Sequence, residues 1–285
     1  MNTNHRILWS NIENCLDSRH KRWRERIEKS GQVRAVKDRS QGRTWSDDTV
    51  FEGVLLAVLS SNTVWSKVEQ VQDDLSALFC GFSLESYASL SDAEIDKRFV
   101  PWFIERRAGS MTLRRNLKHL IRAARKLSQY SKRNGGADQY FTSLLAQCDG
   151  DPKQVALLLG DQGEHKLPSF GIPIAAEALK NLGFDVAQPE RHLTRALGSF
   201  GLVRFNRWER TPGGRESPGS TSQEKLEVMT VAEEIAAAAD QSVVFVDNAI
   251  WLLCARDEGW YLTNSELEEI ASNSRRSRTR IEAPQ

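Results

Sequence analysis

The sequence lacks paired cysteines, long apolar runs and any marked excess of one charge. Its four cysteines, Cys15, Cys80, Cys148 and Cys254, stand far apart, with no C-x-x-C pair and no histidine nearby at metal-ligand spacing. This argues against a zinc site or an iron–sulfur cluster built from them and reads as reduced thiols of a cytoplasmic protein. Apolar stretches such as 54–59 are far too short to cross a bilayer. The opening residues mix charged and apolar groups and show no secretory signal. With a formal net charge of +1, the chain as a whole gives no electrostatic reason to meet nucleic acid. Any such reason must be local. Alternating β-branched runs are missing too, which removes the usual sign of a half-buried strand.

Helical periodicity is what the sequence does contain. A chain of 285 residues, 40% hydrophobic and 27% charged, can bury a sizeable core as one or two domains. Phe51, Val54, Leu55, Val58 and Leu59 recur at the spacing of one helix face. Val64, Val68, Val71, Leu75 and Leu78 form a second stripe, and Leu113, Leu117, Leu120, Ile121, Ala124 and Leu127 a third. Asp151 followed by Pro152 reads as a helix cap and first turn. Further helices are predicted near 225–239 and 243–255. The expected fold class is therefore all-α.

Between the helices, Asn134-Gly135-Gly136 marks a break. Residues 209–223 (ERTPGGRESPGSTSQ) are predicted to be a mobile loop, and 272–285, which opens SNSRRSRTR, a disordered basic tail. Local charge gathers at 101–134, where Arg106, Arg107, Arg114, Arg115, Lys118, Arg122, Arg125, Lys126, Lys132 and Arg133 are accompanied by a single acid, Glu105. Such a run is either a solvated helix face or a surface that meets phosphates.

The stretch KLPSFGIPIAAEALKNLGFDVAQPERHLTRALGSFGL, 166–202, is the most informative. Pro168 and Gly171 bracket a tight turn between apolar helices, with Gly171 expected to take a positive φ and admit a second backbone. Pro173 suits the first turn of the next helix and Gly183 its end. The small Ala175 and Ala176 permit close packing on the preceding helix. A helix starting at such a turn offers free N–H groups that can hold a phosphate oxygen. Then Glu190 stands at the head of a helix carrying Leu193, Leu197 and Phe200, and Gly201 ends it. An inward acid at that position is either a dipole-stabilising cap or a working acid/base. Asp185 is a second, less favoured acid, and Asp247 reads as structural. Trp45 and Trp65 read as core residues more readily than as base-stacking platforms.

Leu167-Pro168-Ser169-Phe170-Gly171, followed by Glu190-Arg191-His192-Leu193-Thr194-Arg195, resembles the helix-hairpin-helix (HhH-GPD) superfamily of DNA glycosylases. Its signature is L-P-G-[VI]-G and, further on, V-D-x-H-[VI]-x-R. Upstream, Leu59-Ser60-Ser61-Asn62-Thr63 is similar to the family's L-S-x-Q-[TA], and 246–255 (VDNAIWLLCA) to its last core helix. The resemblance spans nearly the whole chain and is nearest to the endonuclease III and alkyl-base glycosylase types, without their iron–sulfur cluster.

The resemblance implies two helical lobes with a DNA-binding cleft between them. A central domain, 45–183, would end in the hairpin. The other lobe would join 1–44 to 184–271. It implies Glu190 as the catalytic carboxylate. Asn62 would fill the gap left by a flipped base. Leu167, Pro168, Ser169, Phe170, Gly171 and Ile172 would hold the DNA backbone, with Arg191 and His192 beside them. It also implies a K⁺ or Na⁺ ion on the carbonyls of Leu167 and Phe170, no other cofactor, a monomer, double-stranded DNA with a modified base as partner, and a place with the nucleoid in the cytoplasm. The sequence departs from the pattern at three points. Glu190 replaces the usual Asp, Ser169 replaces the first hairpin glycine, and Pro173 stands where strand-cutting members carry lysine. Proline has no primary amine, so the implied activity is excision without strand cleavage. A non-catalytic DNA-binding module on the same fold and an all-α protein-interaction domain remain the alternatives.

Overall fold

A computed structural model of the chain describes residues 3–61, 65–210, 216–255 and 261–281. The chain divides into two compact units, one made of Met1–Lys37 with Asp185–Gln285 and the other of Asp38–Phe184. In chain order the first helices are α1 (Thr3–Arg19), α2 (Trp23–Lys29) and α3 (Gln32–Ser40). Next come α4 (Asp47–Ser60), α5 (Trp65–Glu69), α6 (Gln72–Leu78), α7 (Leu84–Ser89), α8 (Asp92–Glu94), a π-helical turn at Ile95–Phe99, and α9 (Val100–Glu105). The long α10 (Leu113–Asn134) precedes α11 (Ala137–Gln147), α12 (Pro152–Gly160) and α13 (Ile172–Asn181). The last helices are α14 (Arg191–Ser199), α15 (Ser222–Ala239), α16 (Val243–Cys254) and α17 (Asn264–Ile281). The all-α expectation holds. The strands among the described residues are one antiparallel pair, β1 (Arg207–Arg210) and β2 (Glu216–Gly219).

In the 38–184 unit the predicted stripes are buried. Phe51, Val54 and Leu55 of α4 and Leu117, Leu120, Ala124 and Leu127 of α10 are wholly enclosed. At one end Phe51, Phe79, Tyr87, Phe99 and Phe103 form a chain of ring contacts with centroids 5.0–6.5 Å apart. The Tyr87 hydroxyl satisfies itself on Leu117 O at 3.0 Å, as a buried polar tip must. Helix α13 packs on α4 at Gly53, where a Cβ would lie 3.1 Å from a Leu182 methyl, and Asn181 donates to Gly53 O at 2.9 Å.

The other unit has a core of Leu8, Ile12, Leu16 and Trp23 from α1 and α2, Leu193, Ala196 and Leu197 from α14, Val228 and Ile235 from α15, and Val246, Ile250 and Leu253 from α16. Helix α16 is buried almost all round, which its predominantly apolar composition requires. Its N-terminus is capped by Ser242, which accepts from Phe245 N, and by Asp185, which accepts from Val244 N at 2.9 Å. Asp185 is therefore a helix cap, and burial raises its carboxyl above the usual range.

Four expectations need correction. The boundary expected at 44/45 falls at Lys37/Asp38. Arg39 donates to Leu182 O at 2.6 Å, pairs with Asp138 and lies over the Phe184 ring, so 38–44 belongs with the hairpin-bearing unit. The stripe from Val64 to Leu78 is split into α5 and α6, although Val68, Val71, Leu75 and Leu78 are all buried. Of residues 209–223, 211–215 lie outside the described residues, and the rest hold the end of β1, all of β2 and the start of α15. The tail from Ser272 is helical as far as Ile281. Between Ser272 and Ile281 there is no Gly or Pro to stop a helix, and Thr263 with Glu266 forms a reciprocal cap that starts α17.

Candidate functional site

In the 38–184 unit, α12, a turn and α13 form the hairpin. The turn is closed by Leu167 N on Leu159 O (2.9 Å) and Phe170 N on Leu167 O (3.0 Å). Leu167, Phe170 and Ile172 are buried, while Pro168, Ser169 and Gly171 keep accessible surface. The left-handed residue is Ser169, with φ 71°, and not Gly171, which is extended at φ −102°. A non-glycine there costs about 1–2 kcal/mol, and Ser169 offsets part of this through a 2.8 Å contact between its hydroxyl and His119 Nδ1 of α10. The close approach expected at Gly171 occurs at Gly160, the last residue of α12. A Cβ on Gly160 would lie 2.5 Å from Ile172 N and 2.6 Å from Ile172 Cα. A Cβ on Gly171 would meet nothing nearer than Pro173 Cδ at 3.7 Å.

Helix α13 thus begins at an open turn. It has no side-chain cap and carries Pro173 in its first turn. Its positive end and opening amides lie beside the accessible Gly171. Gly183, with φ 78°, terminates the segment as predicted.

In the other unit, Glu190 is the N-cap of α14. Its Oε1 accepts from His192 N at 2.6 Å and Leu193 N at 3.0 Å. The residue keeps some accessible surface, but the carboxylate is set deep among protein atoms. Burial is the main reason its pKa is raised to about 7; the nearby Asp247 carboxylate adds to the rise, and the two amides and Arg191 oppose it. Asp247 of α16 is buried and accepts Gln188 N at 3.1 Å, which fixes the backbone just before Glu190. Arg191 is exposed and His192 is partly buried, edge-on to Trp251 with ring centroids 6.4 Å apart. Arg195 is buried and donates to Leu262 O and Asn264 Oδ1. Burial also pushes the Cys254 thiol up to about 12, so it is unreactive at neutral pH.

The sequence reading did not anticipate Gly160 or the place of Asp247 beside Glu190. An acid on so apolar a helix as α16 was the available signal for the latter. Asn62 lies outside the described residues, as does the side chain of Trp65. Trp45 is structural: its indole N–H donates to Leu182 O at 2.7 Å.

Most of the basic run is spoken for within its own unit. Arg114 and Lys118 pair with Asp96, Arg122 with Asp92, Lys132 with Glu85 and Arg106 with Asp74. Arg125 donates to the carbonyls of Ala88 and Leu90. Arg107 and Arg115 are exposed and have no ion-pair partner among the described residues. The solvated-face reading therefore accounts for most of this charge. Among the described residues, no group of three or more His, Cys, Asp or Glu is placed to hold a metal ion, and no helix is long and apolar enough to cross a membrane.

The fold is shared with solved structures of 8-oxoguanine DNA glycosylases. A solved structure that shares it is the 8-oxoguanine glycosylase/lyase of Methanocaldococcus jannaschii in complex with a 15mer DNA containing 8-oxoguanine, at a TM-score of 0.55 and 16% identity over 86% of this chain and 95% of that one. Another structure of the 8-oxoguanine DNA glycosylase of that organism matches at a TM-score of 0.54 and 15% identity over 85% and 92% of the two chains. No protein-family model and no curated protein matches the sequence.

Proposed function

We propose that this chain is a DNA glycosylase that hydrolyses the N-glycosidic bond of a damaged or modified base without cutting the strand. The observation that carries the reading is Glu190, a buried carboxylate with its pKa raised to about 7, held at the head of α14 in the sequence setting P-E-R-H-L-T-R. A group poised near neutrality suits acid/base work. Departure of the base leaves an oxocarbenium-like sugar. Ionised Glu190 would stabilise that charge and orient or deprotonate the attacking water. Its Oε1 is engaged by two amides, so a reaction partner would be met at Oε2.

The target nucleotide would have to leave the base stack, at a cost of a few kcal/mol. The open start of α13 at Gly171 would hold a backbone phosphate, and exposed Arg191 would add a charge near Glu190. By the family resemblance the lyase amine would stand at the position of Pro173, and proline has none. The named neighbour is a glycosylase/lyase, so this chain would share its fold and differ in the second step. The test is to treat DNA carrying alkylated, oxidised or deaminated bases with the protein and resolve the products. Free base with strand breaks appearing only after alkali supports the reading. A borohydride-trapped protein–DNA adduct would replace the monofunctional assignment with a lyase.

A second reading has an observation of its own. The two amide bonds to Oε1 are those of an ordinary helix cap, so Glu190 could serve only α14, with the fold acting as a non-catalytic DNA-binding module. Tight binding to an abasic-site analogue with no base release from any substrate would favour it.

A further inference from the structure

The hairpin's carbonyl oxygens are already occupied by ammonium groups. Lys166 Nζ donates to Gly160 O at 2.6 Å and to Phe170 O at 2.9 Å. Lys126 Nζ of α10 donates to Lys166 O at 2.8 Å and to Glu164 O. Leu167 O accepts Phe170 N at 3.0 Å. A K⁺ or Na⁺ ion on Leu167 O and Phe170 O, as the family resemblance implies, would need those oxygens turned toward a metal. Phe170 O is instead turned to a lysine, and a metal cation beside that ammonium would be repelled by it. The residues present do not fit the ion.

The place of Lys166 in the hairpin explains why a cation is useful there. Gly160 ends the first helix and Phe170 precedes Gly171, the N-cap of the second. One ammonium therefore ties the two arms together at the point where Gly160 touches the backbone of Ile172. It also sets a fixed positive charge next to the positive end of α13.

We propose that Lys166 is the built-in cation of this hairpin: its ammonium takes Phe170 O, one of the two carbonyl oxygens that a monovalent metal ion would need, while Leu167 O is held by Phe170 N, and the hairpin holds its shape and its anionic ligand without K⁺ or Na⁺. The second half of this statement rests on reading the hairpin as a DNA anchor. The first half does not.

Two measurements on the full-length protein separate them. The first is thermal melting at one ionic strength in potassium, sodium and tetramethylammonium chloride, the last being too large to enter a ring of carbonyls. The wild-type protein is expected to melt within about 1 °C in all three salts. Lys166→Met should melt lower by several degrees in tetramethylammonium and recover in K⁺ or Na⁺, as an ion enters the vacated oxygens. Three results would overturn the proposal: a wild-type melting point that climbs by about 5 °C or more in K⁺ or Na⁺ over tetramethylammonium, a Lys166→Met protein that melts like the parent in every salt, or one destabilised equally in all three. The wild-type series decides the matter even if the variant does not fold. The second measurement is affinity for a duplex containing an abasic-site analogue in the same salts. Wild-type affinity should vary by less than about twofold, and Lys166→Met should lose about tenfold or more in tetramethylammonium. Loss of wild-type affinity on leaving K⁺ would count against the proposal. No binding to any duplex in any salt would remove the DNA-anchor half and leave the melting data to decide the other.

Discussion

Asp247, buried on α16, accepts the amide of Gln188 two residues before Glu190, the N-cap of α14, and so sets a second carboxylate near the first. A like charge so placed disfavours ionisation of Glu190, which is why Asp247 adds to the burial that raises it to about 7. The arrangement costs stability and is the kind of cost that functional sites carry.

The cost is measurable. Below about pH 4.5 Glu190 is protonated in folded and unfolded chains alike. Between there and its folded value of about 7, only the unfolded chain ionises, so stability falls as pH rises, and above that range the loss levels off. Glu190→Gln removes the titration and keeps an oxygen for the two amides. Its stability relative to the parent should rise from near zero at about pH 4.5 to about 3 kcal/mol at about pH 8. Denaturant unfolding at the two pH values checks this; a variant less stable than the parent at the higher pH would show Glu190 to be a cap and nothing more.

Turnover should follow the same group with the opposite sense. In the proposed mechanism the ionised form is the working one, so kcat/KM should climb about tenfold per unit below about pH 7 and flatten above. Asp247→Asn keeps an acceptor for Gln188 and removes the neighbouring charge, so the midpoint should move to lower pH. A midpoint unmoved by Asp247→Asn, or no ascending limb at all, would separate Glu190 from the chemistry.

Two glycines of the hairpin should behave differently. Gly160→Ala drives a methyl into the backbone of Ile172 and should cost about 1–3 kcal/mol of stability. Gly171→Val has room for its Cβ and should leave the melting temperature nearly unchanged while weakening binding to every duplex alike, because the proposed contact is to phosphate and would read no sequence. Parental affinity in a folded Gly171→Val protein would remove the hairpin as the anchor.

Much of this was legible in the residue order. Stripes such as Leu113, Leu117, Leu120 and Leu127 predicted α10 because burial enforces the 3.6 period, and Asp151-Pro152 and Gly183 marked ends because caps are local chemistry. The segment order around Leu167–Gly171 and Glu190 placed the turn and the acid. What escaped depends on partners distant in sequence. That Ser169 takes the left-handed position follows from its contact with His119, and that Gly160 is the crowded glycine follows from where α13 lies. The pairing of α10's cations with Asp92, Asp96 and Glu85 is likewise tertiary, so a run that looked free for phosphate proved largely neutralised. The continuation of α17 past Ser272 shows that polar, basic composition does not by itself stop a helix that starts from a good cap.

The central claim is that Glu190 breaks a base–sugar bond, and single-turnover base release tests it most directly. Wild-type protein and Glu190→Gln, each in excess over duplexes carrying alkylated, oxidised or deaminated bases, would be compared by mass spectrometry of the freed bases. The account predicts release by the parent from at least one of these substrates, and a loss of about a thousandfold or more in the variant, on the order of 4 kcal/mol of transition-state stabilisation, with affinity for an abasic-site analogue retained. Release by Glu190→Gln at the parental rate would contradict it.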